Sequence, residues 1–303
     1  MELKKNILVL LLIFTAALMA CSAADAFPQD EPLTGEKRAI LVVSFGSSVP
    51  EGEAAITAVT DAVKAANPGV EVRNAYTSRI IMRKLAKEEG RIIDEPAIAL
   101  AKLAYEGFTD VAVLSTHIIP GEEYDDLKAV TDGFRFMSES APKAGFRSIA
   151  LSEPLLAGGK DIERLADALV ATYEDEIKKG AVIMVGHGTH HFADSAYSSL
   201  QIALWRRSPN FFIGTIEGIP SYDDILPRIK AARPRSVTIG PLMLVAGDHA
   251  QNDIAGDEED SWKSMLAAES LKVSPVLTGL GQNKFVQNLI IDKLREAQSR
   301  LAR

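Results

Sequence analysis

The chain has 303 residues, 47% of them hydrophobic and 24% charged, the balance of a soluble globular protein long enough for two α/β lobes. The formal net charge is −8 at pH 7 and there is no basic run or Lys/Arg–aromatic stripe, so nucleic acid is excluded as an expected partner. Beyond the N-terminus no stretch is long and apolar enough for a transmembrane helix.

The first 26 residues read as a signal peptide. Lys4 and Lys5 precede an apolar stretch from Ile7 to Ala20, the pattern of a secretory leader. Two exits follow it. Ala24-Asp25-Ala26 is an A-x-A cleavage site that would start the mature chain at Phe27, whereas Leu18-Met19-Ala20-Cys21 has the form of a bacterial lipobox, with a lipid anchor on Cys21. Either exit predicts a periplasmic protein, and with Cys21 as the single cysteine it is one without disulfides.

From Ala39 onward, strand-like and helical patterns alternate. Predicted strands are Ala39–Val43, Val70–Arg73, Asp110–Leu114 and Ile149–Leu151. Helices fall between them near Pro50–Ala66, Ser78–Lys87, Glu95–Glu106 and Glu122–Met137, with Asp161–Lys178 after the last strand. The cycle then restarts. Strand Ala181–Val185 leads to helix His191–Arg206, strand Phe211–Ile216, helix Tyr222–Ala232 and strand Ser236–Ile239. An irregular stretch, 240–256, precedes a helix at Glu258–Glu269, a strand at Leu271–Val276 and a helix from Gln282 to Leu301. Such alternation predicts parallel sheets flanked by helices. Ala39-Ile-Leu-Val-Val-Ser-Phe-Gly-Ser-Ser48 aligns without gaps on Ala181-Val-Ile-Met-Val-Gly-His-Gly-Thr-His190, and Pro120-Gly-Glu-Glu123 stands where Ala246-Gly-Asp-His249 stands. The expectation is two similar, pseudo-twofold related lobes, 37–155 and 156–303, with a cleft between them. The second carries the candidate metal site and the C-terminal helix.

Strand ends are where open α/β sheets place their ligands. His187, between two glycines after Ala181–Val185, is the first candidate; three of the five histidines lie in Gly186–His191. Glu217 follows the next strand and His249 the one after. Two imidazoles and a carboxylate suit a divalent transition metal with open positions, although the spacing is long-range and unlike a compact zinc signature. His117 lies after the third strand of the first half, where it could face the same cleft. His190 and His191 read mainly as cap and surface residues. Arg79, Arg83, Lys84 and Lys87 read as a solvated helix face, with carboxylate recognition as the functional alternative. The acidic run Asp257–Asp260 reads as a helix N-terminus. There is no Gly-x-x-x-x-Gly-Lys-Ser/Thr, no Gly-x-Gly-x-x-Gly after the first strand, no His-Glu-x-x-His and no Gly-x-Ser-x-Gly.

Gly186-His-Gly-Thr-His-His191, Thr116-His-Ile-Ile-Pro-Gly-Glu-Glu-Tyr124 and Ala75-Tyr-Thr-Ser-Arg79 resemble motifs of the anaerobic sirohydrochlorin cobaltochelatases, the CbiK type of class II chelatase, over nearly all of the mature chain. The resemblance implies a bilobal fold that inserts Co2+ into a tetrapyrrole held between the lobes, without ATP and with release of two protons. It places His187, Glu217 and His249 at metal-coordinating positions, with His187 and His117 as the catalytic candidates. His117, Arg79, Phe45 and Glu123 fall on the substrate side, Arg79 toward a carboxylate of the polyanionic macrocycle. One ring nitrogen cannot hold a metal and accept a proton at once, so the metal role goes to His187 and a base or contact role to His117. Fe2+ shares nearly the same ligand preferences, which keeps a sirohydrochlorin ferrochelatase as an alternative. The leader sets this chain apart from cytoplasmic members and keeps a noncatalytic periplasmic haem or metal binder as a second one. The sequence marks no clear interface, leaving a homo-oligomer open.

Overall fold

The short Val/Ile-rich runs become strands. Those of the first half are β1 (Arg38–Ser44), β2 (Glu71–Tyr76), β3 (Asp110–Ser115) and β4 (Ser148–Leu151). Those of the second half are β5 (Ala181–Gly186), β6 (Phe211–Thr215), β7 (Val237–Pro241) and β8 (Val273–Pro275). The computed structural model describes residues 35–141, 145–248 and 250–301. The predicted leader, Cys21 and His249 lie outside the described residues. The fold is that of residues 37–301.

Each set of strands forms one parallel sheet of four, in the orders β2-β1-β3-β4 and β6-β5-β7-β8. The helices are α1 (Pro50–Ala66), α2 (Arg79–Glu89), α3 (Pro96–Tyr105), α4 (Glu122–Ser140) and α5 (Gly159–Thr172). They continue with α6 (Glu174–Lys179), α7 (Ser195–Trp205), α8 (Tyr222–Ala232), α9 (Trp262–Ala268) and α10 (Lys284–Gln298). Two lobes, each a parallel sheet flanked by helices, are therefore observed as the sequence predicts.

The duplication extends to single hydrogen bonds beyond the strand ends. Thr77 N–H donates to Ser44 O and Ser78 N–H to Phe45 O; in the second half, Ile216 donates to Gly186 and Glu217 to His187. On the other side of the central strand, Thr116 donates to Val43 O as Leu242 does to Val185 O. Leu155 donates to His117 O as Leu280 does to Met243 O, and α5 and α10 each begin four residues past that bond. By this register His187 is the counterpart of Phe45, Glu217 of Ser78, and Met243 of His117.

Alternating strand residues sort the core. Ile40 and Val42 of β1, Ala112 and Leu114 of β3, and Val182 and Met184 of β5 join residues of α1, α5, α7 and α10 in one shared apolar cluster. The opposite faces have separate clusters, with Leu100, Leu103 and Leu127 under the first sheet and Ile225, Ile229 and Trp262 under the second. The last helices of the two halves are exchanged. The first half's α5 packs on α7 of the second, and α10 packs on α1 and β3 of the first. Val286, Ile290 and Leu294 of α10 are all but fully buried, each contributing about 1.5–3 kcal/mol of transfer free energy.

Three predicted helices differ. The Asp161–Lys178 segment breaks at Tyr173 (φ −108°, ψ 25°), whose buried ring meets Phe211 edge-on at 6.1 Å. The expected His191–Arg206 helix opens with a 3-10 turn, Phe192–Asp194, before α7 begins. The acidic run Asp257–Asp260 precedes α9 and does not open it, because Ser261 is the cap, accepting Ser264 N–H at 3.1 Å. Asp257 is held instead by Lys263 at 2.5 Å.

Candidate metal and substrate site

β5 and β6 end side by side, and the residues beyond them form a two-loop rim. The loop after β5 turns through Gly188 at φ +83°, where a side chain would be strained. It also has no room, since a Cβ there would lie 2.5 Å from Gly218 N. The loop after β6 folds back through the cis bond Ile219–Pro220. Thr215 fixes that fold: its Oγ1 donates to Pro220 O at 2.9 Å and accepts Gly218 N–H at 3.1 Å. Half-buried Asp194 ties the two loops together, Oδ1 accepting Thr189 N–H at 3.1 Å and Oδ2 accepting Ile219 N–H at 2.8 Å.

This scaffold brings two predicted ligands together. His187 Nδ1 lies 4.0 Å from Glu217 Oε2, and the side chains are 43% and 56% exposed, open to an arriving ion. An imidazole and a carboxylate thus stand on one rim, donor types that suit a divalent transition metal. His187 Nδ1 also sits 3.0 Å from Gly188 O. A proton on Nδ1 satisfies that carbonyl and fixes the tautomer of the ring. Among the described residues no group of three or more His, Cys, Asp and Glu is arranged to hold a metal ion.

The first-half candidates surround the corresponding strand ends. Phe45 follows β1 and is 47% exposed. His117 follows β3; its Nδ1 is 2.8 Å from Ser115 Oγ, while Nε2 is shut off from solvent without a partner. Loss of hydration disfavours the charged ring, pulling its pKa down to about 4, so it is neutral at pH 7. Arg79 opens α2 after the Ser78 cap and pairs with Glu95 at 3.1 Å, a partner that a substrate carboxylate would have to displace. Glu123 is exposed in the first turn of α4. His191 caps the 3-10 turn, its Nδ1 accepting Ala193 N–H at 3.2 Å, as a cap residue should. Its Nε2 reaches Asp125 Oδ2 of α4 at 3.4 Å, a contact between the halves. Sequence reasoning passed over Asp125, Asp194 and Thr215; only the Gly-Ile-Pro-Ser after Glu217 signalled an unusual turn.

The fold is that of the two-lobed chelatases. SirB from Bacillus subtilis, solved with Fe3+, superposes with a TM-score of 0.59 at 15% identity over 86% of this chain and 95% of SirB. CbiX, described as the terminal enzyme for biosynthesis of siroheme in denitrifying bacteria, gives 0.51 at 17% identity over 86% and 99%. At the level of sequence, the cobalt chelatase (CbiK) family model matches residues 38–299. The sirohydrochlorin cobaltochelatase CbiKC of Nitratidesulfovibrio vulgaris is 38% identical over 278 residues, 91% of this chain and 96% of its own length. The sirohydrochlorin cobaltochelatase of Salmonella typhimurium is 35% identical over 262 residues, 86% and 96% respectively. The chain belongs to the CbiK cobalt chelatase family.

Proposed function

We propose that this protein inserts Co2+ into sirohydrochlorin, displacing two pyrrole protons and using no ATP. The observation that carries the reading is the His187–Glu217 pair at adjacent strand ends in a chain of the CbiK family. In this reading His187, Glu217 and His249 hold the arriving metal and pass it to the ring nitrogens. His117, neutral and with Nε2 unpaired, is a substrate contact and a base only if the macrocycle changes its surroundings. Arg79 takes a substrate carboxylate, while Phe45 and Glu123, across from the metal ligands by the internal duplication, complete the substrate side. A nitrogen and oxygen donor set accepts Fe2+ nearly as well, so metal choice also depends on supply.

The leader pattern of residues 1–26 supports export to the periplasm, with release after Ala26 or lipid attachment at Cys21; cell fractionation and the mass of the mature protein separate these. Among the described residues no helix is long and apolar enough to cross a membrane. A division of the chain into lobes near residue 155 is supported by the restart of the strand order after β4.

The test is absorbance of sirohydrochlorin with Co2+ and the purified mature protein. Accelerated cobalt insertion is expected. A rate equal to the spontaneous one refutes the enzyme and favours a noncatalytic haem or metal binder. A parallel arm with Fe2+ separates cobaltochelatase from ferrochelatase. His187→Ala is expected to lower kcat/KM for Co2+ by at least about 100-fold, and unchanged turnover removes His187 from the site.

A further inference from the structure

Asp194 lies in neither strand-end motif, yet its two carboxylate oxygens join the loops that carry His187 and Glu217. Its two donors are placed evenly: Thr189 is two residues past His187, and Ile219 two past Glu217. The neighbouring glycines make room for it. A Cβ at Gly218 would lie 2.2 Å from Asp194 Oδ1, and one at Gly188 would strike the Gly218 backbone. The chain thus leaves side chains out at both places so that one carboxylate and two backbones can meet. Asp194 itself is carried on a firm base. It ends the turn leading into α7, where buried Tyr197 packs so closely under Gly186 that a Cβ there would lie 2.5 Å from the ring.

We infer that Asp194 is a positioning residue that sets the separation of His187 and Glu217 and thereby the affinity of the site for the incoming divalent cation. It does so without touching the metal. The inference rests on the proposed metal role of His187 and Glu217. Groups that orient metal ligands through hydrogen bonds typically govern about 10- to 100-fold in affinity.

The experiment is titration of the full mature protein with Co2+ alone, followed by the visible absorption of the bound ion, together with steady-state insertion kinetics. Asp194→Ala should weaken Co2+ binding about 10- to 100-fold and alter the Co2+ spectrum. KM for Co2+ should rise more than kcat falls. Asp194→Asn keeps the shape and one acceptor but sets an NH2 against a backbone N–H, so an intermediate loss is expected. Leu294→Ala, destabilised at a distance, should keep wild-type Co2+ affinity and spectrum, which separates positioning from general loss of stability. If His187→Ala abolishes binding but both Asp194 variants bind like wild type, the positioning role is overturned. The same holds if Leu294→Ala weakens binding as much as they do. If His187→Ala itself binds Co2+ unchanged, the metal-site reading fails and the inference falls with it.

Discussion

Acid should destabilise this protein through one half-buried imidazole whose Nε2 is shut off from solvent. His117 titrates at about 4 in the folded chain because its ring has lost its water and gained no partner at Nε2. In the unfolded chain a histidine titrates near 6.5, so between about pH 6.5 and 4 the unfolded state binds the extra proton. The stability conferred by a neutral His117 is therefore complete above pH 6.5 and is lost as pH falls toward 4. Linkage with these two values gives a loss of about 2 kcal/mol at pH 5 and about 3 kcal/mol below pH 4. Urea unfolding at pH 7 and pH 5, in wild type and His117→Asn, isolates the effect. Whatever the variant's starting stability, its change between the two pH values should be smaller than wild type's by about 2 kcal/mol. Equal changes in the two proteins would show that His117 is already solvated or paired, and the argument from burial would be wrong.

Gly188→Ala should cost about 1–3 kcal/mol and abolish tight Co2+ binding, because the new methyl meets both a left-handed φ and the Gly218 backbone; a wild-type melting temperature with wild-type Co2+ titration would refute this. Leu294→Ala should cost about 2–5 kcal/mol and lower a single unfolding transition, since its side chain is fully buried in the cluster common to both lobes. Two separate transitions in calorimetry would contradict a shared core.

What the sequence made legible was what repeats locally. Val/Ile-rich runs such as Ala181–Val185 could hardly be anything but buried strands, and the gapless match of Ala39–Ser48 with Ala181–His190 foretold the common register. His187 and Glu217 could be placed on one rim because they end consecutive strands. Boundaries set by tertiary contacts were not legible. Tyr173 interrupts a helix to bury its ring against Phe211, and the acids before Ser261 look like a helix start until the serine is seen to cap. Asp194 was hidden for a related reason. An acid at the head of a helix is explained well enough by the dipole, and only coordinates show its oxygens bonded to two loops.

The exchanged last helices also fix an order of events. During synthesis β1–β4 leave the ribosome long before Lys284–Gln298, yet that helix is the cover for one face of β3 and for α1. The early sheet must wait with part of its apolar face uncovered until Lys284–Gln298 has been made. Contacts that span so much sequence are slow to close and leave a half-made protein open to aggregation or to chaperone capture. Losing the C-terminal helix would for the same reason cripple the lobe made first, and the late-made lobe would keep the α5 helix lent to it by the early half.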